Sequence, residues 1–326
     1  MTRLTRRHFT RTLIAGAAAG LAGFGTEFAA RAAPVAVIGG GPAGATAALE
    51  LKRNRPDLRV TLIERDPSGL RRSVQNGPFA KPSAGPAWDA LSEAGVEIVL
   101  DEVTGIDWTT AHIELFRGER LAFDRVLLAP GTQSRPEAIQ GYDARAQHFW
   151  PAAWGSAREA QRLTAMIMAM PETGHLVLRL PSDLSHPQVA NDRVLTLSRL
   201  LAAWKPEARM TVLSAADLEG FDAQEIGADV TWQSADVLSV DVDAGRIETS
   251  MGGLSADVVN FVTPQMAGAI AGHAGLVDST GWCPASDAGV SLIRPEAIVL
   301  GDARAGAERT TPAAIEGARR VGLDRV

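Results

Sequence analysis

The chain has 326 residues, a formal net charge of −6 and a single cysteine, Cys283. One cysteine excludes an internal disulfide and any zinc site built from several thiolates, so stability must come from packing. The acidic balance excludes a nucleic-acid surface, and the length suffices for one large or two ordinary domains.

The first 32 residues read as an export signal. Arg6 and Arg7 precede Phe9 and a weakly apolar, Ala/Gly-rich stretch from Leu13 to Phe28, and small residues surround Ala30-Arg31-Ala32 where a peptidase would cut. A disordered basic tail or one membrane helix are the alternatives. Gly16, Gly20, Gly23 and Gly25 make the stretch a poor bilayer span. Paired arginines are read by the machinery that moves proteins already folded, and Arg31 suits a signal that avoids the unfolded-chain route. The expectation is a periplasmic protein that loads a cofactor before export and has no membrane span in its mature chain. Five of the 32 basic residues and one of the 38 acidic ones lie in residues 1–32, which leaves 27 against 37.

Directly after the signal, "PVAVIGGGPAGATAALELKRNRPDLRVTLIERD" places a buried strand at Val35–Ile38, a helix at Ala43–Leu51 and glycines between them. Gly39, Gly41 and Gly44 fit G-x-G-x-x-G. The first allows the tight turn, the second lets backbone approach a pyrophosphate and the third lets helix pack on strand, with Pro42 and Ala43 opening the helix N-terminus. A second strand, Arg59–Ile63, ends at Glu64, twenty residues after Gly44, followed by Arg65. A carboxylate there can accept the hydroxyls of an adenosine ribose, the plainer alternative being a surface charge at a strand end.

Two later stretches favour FAD over NAD. "DRVLLAPGTQSRP" runs a strand, Val126–Leu128, into Ala129-Pro130-Gly131, and "EAIVLGDARAG" runs a strand, Ile298–Leu300, into Gly301-Asp302. Asp302 can accept a ribityl hydroxyl, and a helix starting near Pro312 can aim its N-terminus at the pyrimidine end of the flavin.

The middle of the chain reads as a second βα domain without its own glycine loop. The strand "HLVLRL", His175–Leu180, is followed by "PSDLSHPQVANDRVL", which contains no glycine, so no nicotinamide nucleotide is expected there. A helix Arg193–Trp204, strands Met210–Leu213 and Val230–Trp232, a hairpin-like pair within Val237–Glu248 and a strand Val258–Val262 complete it. Pro67–Pro86, rich in Gly, Pro and Ser, reads as a long surface loop. The fold class is α/β: two dinucleotide-binding-like, Rossmann-type domains, the second inserted in the first. The boundaries are a signal at 1–32, an FAD-binding first part at 34–148, the insert at 149–264 and an FAD-binding second part at 265–326.

These motifs, with "VTGID" from Val103 to Asp107, "GYDARAQHFWPAAWGSAREAQRLTAMIMAMPETG" and "PQMAGAIAGHAGLVDSTGWCP", resemble the flavoprotein subunit of flavocytochrome c sulfide dehydrogenase, a relative of sulfide:quinone reductases. The resemblance covers nearly the whole mature chain. It implies a periplasmic FAD oxidoreductase that takes electrons from a small inorganic or organic reductant and passes them to a c-type cytochrome or another electron-carrier subunit, with Val103 beside the cofactor. It also implies a redox-active cysteine pair, at positions held here by His186 and Arg304, and a cysteine tethering FAD, which falls near Arg72. None of the three is a cysteine, so FAD should be non-covalent, and His186 and Arg304 remain only weak catalytic candidates. Cys283 stands where the family has a cysteine without a known redox role. Family members continue into a C-terminal interface domain, and the expectation is that this protein does without it. The other reading is a catalytically degenerate FAD-binding accessory subunit of a sulfur-oxidation system, and a third is a scaffold without cofactor. The histidines form no metal-ligand spacing, and no metal is expected.

Overall fold

Alternation of buried side chains on both faces of short apolar strands builds two parallel sheets, each covered on its two sides. The computed structural model describes residues 34–67, 70, 79, 84–154, 156–182, 184, 187–215 and 229–320. The proposed signal, the position near Arg72 and His186 lie outside the described residues.

The first unit begins with β1 (Pro34–Ile38), α1 (Pro42–Asn54), β2 (Arg59–Glu64), α2 (Trp88–Glu93) and β3 (Glu97–Leu100). An antiparallel meander follows, β4 (Val103–Asp107), β5 (His112–Leu115) and β6 (Arg120–Ala122), and β7 (Arg125–Leu128) returns to the sheet. After the second unit the chain adds β16 (Gln265–Ala267), α6 (Ala269–His273), β17 (Ala297–Val299) and α7 (Thr311–Arg320). The parallel order is β17-β7-β1-β2-β3. On one face Val35, Val37, Val60, Leu62 and Leu127 meet the alanines of α1 and α7; on the other Ala36, Ile38, Ile63, Val126 and Leu128 meet the meander and α6. Small side chains let α1 lie close to the strands, and Ala314 and Ala318, one turn apart, give α7 a matching small face.

The second unit contains α3 (Ala144–Phe149), α4 (Ala157–Ala169), β9 (His175–Arg179), α5 (Pro187–Trp204), β10 (Arg209–Leu213), β11 (Asp229–Gln233), a meander β12 (Val237–Asp241), β13 (Arg246–Thr249) and β14 (Gly252–Ser255), and β15 (Val258–Phe261). Its parallel order is β11-β10-β9-β15. The two units therefore repeat one plan: a first strand, a crossover helix, a second and third strand on one side, then a three-stranded meander and a strand on the other side. The pair β8 (Thr132–Ser134) and β16 links them.

Four details differ from the sequence expectation. Helix α5 starts at Pro187, six residues before Arg193, because a proline fits the first helical turn and the polar Asp192 stands exposed while Ala190, Val194, Leu197 and Leu201 are buried. Residues 139–148, assigned to the first unit, pack on the second: Ile139, Tyr142 and Ala146 join Val177, Val259 and Phe261, and the Tyr142 ring stacks on Phe261 at 4.4 Å. The segment Pro67–Pro86 is not wholly a surface loop, since Leu70 is fully buried in the first core and its carbonyl accepts the Trp88 amide at 2.8 Å. Strand β17 ends at Val299, and Leu300 leads into the 3-10 turn Gly301–Ala303.

Two buried polar groups hold the second unit together. Arg193 donates to Asn260 Oδ1 at 3.1 Å and to the Ala153 carbonyl at 2.6 Å, with its guanidinium between the rings of Phe79 and Trp154. Its pKa is drawn down to about 10 because burial penalises the cation. His175 accepts from Thr211 Oγ1 through Nε2 and donates from Nδ1 to the Ser255 carbonyl, since a carbonyl can only accept. Burial, the larger effect, holds its pKa below the usual histidine value.

Candidate functional site

The turn Gly39–Gly41 joins β1 to α1 in three residues. Gly39 has φ +99°, and a methyl group on it would overlap the Ala129 carbonyl oxygen. One on Gly44 would overlap the Gly39 carbonyl oxygen and come within 3.2 Å of the Ala129 Cβ. The turn is therefore packed backbone to backbone on the end of β7. Gly41 has nothing within 4 Å of its Cβ position, which leaves the helix N-terminus open on that side. Pro42 occupies the first helical position, where its missing N–H costs no hydrogen bond.

Glu64, at the end of β2, faces this turn. Its Oε2 accepts the Gly40 amide at 2.5 Å and its Oε1 accepts the Asp66 amide at 2.7 Å. An ionised carboxylate has about four acceptor positions, so two remain after these bonds. The Asp101 amide bonds the Glu64 carbonyl at 3.2 Å, and this brings β3 and the start of β4 to the same edge. Val103 is 8% exposed there and packs with Ile38 and Ile63.

Residues more than 230 positions away complete the edge. A methyl on Gly301 would stand 3.0 Å from the Ala43 Cβ and 3.7 Å from the Ala314 Cβ, so the Gly301–Ala303 turn sits between the N-terminal halves of α1 and α7. Asp302 lies in that turn, whose carbonyl accepts Arg309 Nε at 3.1 Å, and Arg309 stacks 3.5 Å over Trp282. Thr310 caps α7, its Oγ1 accepting the Ala313 amide at 3.3 Å. The Gly131 carbonyl accepts the Gly268 amide at 3.0 Å, which places Gly131 at the junction of β8 and α6.

Gly39, Gly41, Pro42, Ala43, Gly44, Glu64, Ala129 and the Gly301-Asp302 turn thus come together at the carboxyl ends of β1, β2, β7 and β17, with Val103 at the β2 side. Arg65 does not join them. Its side chain is 72% exposed and pairs with Glu102 at 3.3 Å, because alternation along β2 turns it away from Glu64. Arg304 turns aside as well, donating to the Ser286 carbonyl at 2.9 Å while its backbone pairs with Cys283. Cys283 is fully buried, and burial with the nearby Asp278 charge pushes its pKa up to about 12. Such a thiol is inert. Sequence reasoning missed the Arg309–Trp282 stack and the approach of Gly85 to Pro42, whose Cα a methyl group on Gly85 would meet at 3.2 Å; neither has a local signal, since both depend on distant segments meeting. Among the described residues no helix is long and apolar enough to cross a membrane, and no cluster of His, Cys, Asp and Glu could hold a metal ion.

Residues 33–166 match the profile of the family described as pyridine nucleotide-disulphide oxidoreductase. The ferredoxin–NAD(+) reductase component of a biphenyl dioxygenase system from Paraburkholderia xenovorans is 33% identical over 122 residues, which is 35% of this chain and 30% of that relative's length. A water-forming NADH oxidase from Lactobacillus brevis, solved with NADH, aligns over 90% of this chain and 70% of its own at TM-score 0.67 and 17% identity. A sulfide:quinone oxidoreductase from Aquifex aeolicus aligns over 88% and 75% at TM-score 0.65 and 16% identity. Residues 33–166 therefore match the model of the pyridine nucleotide-disulphide oxidoreductase family, and the described chain has the Rossmann-like α/β fold of these solved structures.

Proposed function

We propose that this protein is a periplasmic oxidoreductase with non-covalent FAD that accepts electrons from a small reductant and passes them to a c-type cytochrome. The observation that carries the reading is the cluster at the strand ends of the first unit: a glycine turn with no room for a side chain at Gly39 or Gly44, an open helix N-terminus, a carboxylate facing the turn, and the Gly301-Asp302 turn beside α7. In this reading the amides of the β1–α1 turn and the start of α1 hold the pyrophosphate, the remaining Glu64 acceptors take the ribose hydroxyls, and Asp302 takes a ribityl hydroxyl. The capped N-terminus of α7 supplies partial positive charge to the pyrimidine end of the ring. FAD supplies the two-electron chemistry when bound. The twin arginines at Arg6 and Arg7 support export in the folded state.

The test is direct. The mature protein purified with flavin should be yellow and release FAD on acid or heat denaturation, and its reduced form should reduce a c-type cytochrome. Protein that takes up no flavin even on reconstitution would overturn the reading. An accessory, flavin-binding but non-turning role is the second reading. It is favoured by Cys283, whose buried thiol cannot serve as a nucleophile, and by Arg304, whose guanidinium is turned to the Ser286 carbonyl. A flavin that binds but is reduced by no sulfide or other small reductant under anaerobic conditions would select it.

A further inference from the structure

We infer that the second parallel unit is closed to nicotinamide nucleotides by this chain's own residues, Arg179 and Leu180 above all, and that the flavin receives its electrons from a donor of another chemical class. The donor clause rests on the FAD reading proposed above; the closure does not.

The registers of the two sheets make the comparison position by position. In the first unit Ile38 pairs with Ile63, so Gly39 and Glu64 are the next residues. In the second unit Arg179 pairs with Leu213, so Leu180 and Ser214 take their places. The backbone bonds coincide. The Gly39 amide donates to the Ile63 carbonyl at 2.9 Å and the Leu180 amide to the Leu213 carbonyl at 2.9 Å. The Ala129 amide donates to the Ile38 carbonyl at 2.8 Å and the Val262 amide to the Arg179 carbonyl at 3.0 Å.

On this shared frame the requirements of a dinucleotide are met once and refused once. Gly39 turns the chain at φ +99° so that backbone packs on the Ala129 carbonyl, and the helix follows after three residues. Leu180 is 1% exposed and does not take a positive φ, so its side chain is buried where the first unit has none. Seven residues, beginning Leu180-Pro181, then separate the strand from Pro187. The Val262 carbonyl, counterpart of the one that seats the glycine turn, instead accepts Arg179 Nη1 at 2.5 Å, and that guanidinium lies 5.3 Å from the centre of the Phe261 ring. The surface on which a phosphate-binding turn would rest is filled by an arginine. NADH also calls for a carboxylate at its adenosine ribose, and at the Glu64 position stands Ser214, 1% exposed, its amide bonded to the Gln233 carbonyl at 3.2 Å.

The experiment uses the full mature protein saturated with FAD, so that the first unit is occupied. NADH and NADPH are titrated separately, with nucleotide fluorescence and calorimetry as readouts of binding and flavin absorbance as the readout of reduction. The expected result is no saturable binding across the ~1 μM–1 mM range in which enzyme KM values fall, and no bleaching of the flavin. Saturable binding of either nucleotide to the FAD-saturated protein would overturn the inference. A preparation that holds no flavin and binds no nucleotide would sink the proposed function while leaving the closure standing, so the two failures are distinguishable.

Discussion

The two parallel units share strand order, register and crossover, and they part company one residue past their first strand. In the first unit that residue is Gly39, followed by small residues and an open helix N-terminus; in the second it is Leu180, itself buried, beside a carbonyl already taken by Arg179. A Rossmann-type frame is held by the alternating apolar residues of its strands, which both units keep. A dinucleotide site is an addition to that frame, made of residues that weaken it: glycines that contribute no side chain to the core and a carboxylate at a strand end. A unit that gives up the ligand can replace them with apolar volume and internal hydrogen bonds, as Leu180, Arg179 and the Arg193–Asn260 pair do here.

The sharpest way to break this comparison is to exchange the two solutions. Gly44→Ala would drive a methyl into the Gly39 carbonyl, a backbone clash that no side-chain rotation relieves, and should cost about 3 kcal/mol or more with loss of flavin. Leu180→Ala should cost about 2–5 kcal/mol through the cavity it leaves, yet leave the flavin affinity of the folded fraction unchanged. Urea denaturation with flavin titration separates the two effects, and flavin loss from Leu180→Ala would refute the division of labour.

Glu64→Ala is the next largest. It removes the acceptor of the Gly40 and Asp66 amides and, in the proposed reading, of the ribose hydroxyls, at roughly 1.5–3 kcal/mol per charge-assisted bond. Flavin binding should weaken tenfold or more by about 1.4 kcal/mol per decade. Ser214→Ala, the matching change in the second unit, should leave flavin binding unaltered. Arg193→Met should destabilise the second unit by about 1–3 kcal/mol, because Asn260 Oδ1 and the Ala153 carbonyl lose their donor inside the protein, again without changing flavin affinity.

A smaller response, below about pH 6.5, comes from His175 in the second unit. His175 has a folded pKa below its ordinary 6.5, so at pH between those two values the unfolded chain binds more protons than the folded one. The contribution of His175 to stability is therefore complete above about pH 6.5 and falls as the pH drops below it. Urea midpoints should decline with acidification, and less so in His175→Gln; an equal decline in both would remove His175 as the source. The smallest expected effect is none at all: an alkylating reagent at mildly alkaline pH should leave Cys283 of the folded protein unlabelled and the flavin unperturbed, since the thiol is fully buried with its pKa near 12.

Much of this arrangement was written in local sequence. Strand β1, the glycine turn and Glu64 lie within thirty-one residues, and each follows from a rule of short range: apolar alternation, the φ freedom of glycine, a carboxylate at a strand end. The absence of glycine after Arg179 was equally plain, and it already pointed away from a nucleotide. Boundaries were less legible. The start of α5 at Pro187 was hidden by Asn191 and Asp192, which look like loop until the buried face of the helix is known, and residues 139–148 carry no mark of the sheet they cover.

Sequence alone determined the α/β class, the repeated βα plan and which unit has the residues of a dinucleotide site, because these depend on residues near one another along the chain. Only the tertiary structure decided that Gly301 meets Ala43, that Arg65 and Arg304 turn away from the cluster, and that Arg179 bonds the carbonyl against which the other unit seats its turn. Those contacts join segments tens to hundreds of residues apart, and no periodicity or spacing encodes them. They exist because two sheets, each closed by hydrogen bonds in a fixed register, bring the carboxyl ends of distant strands to one edge.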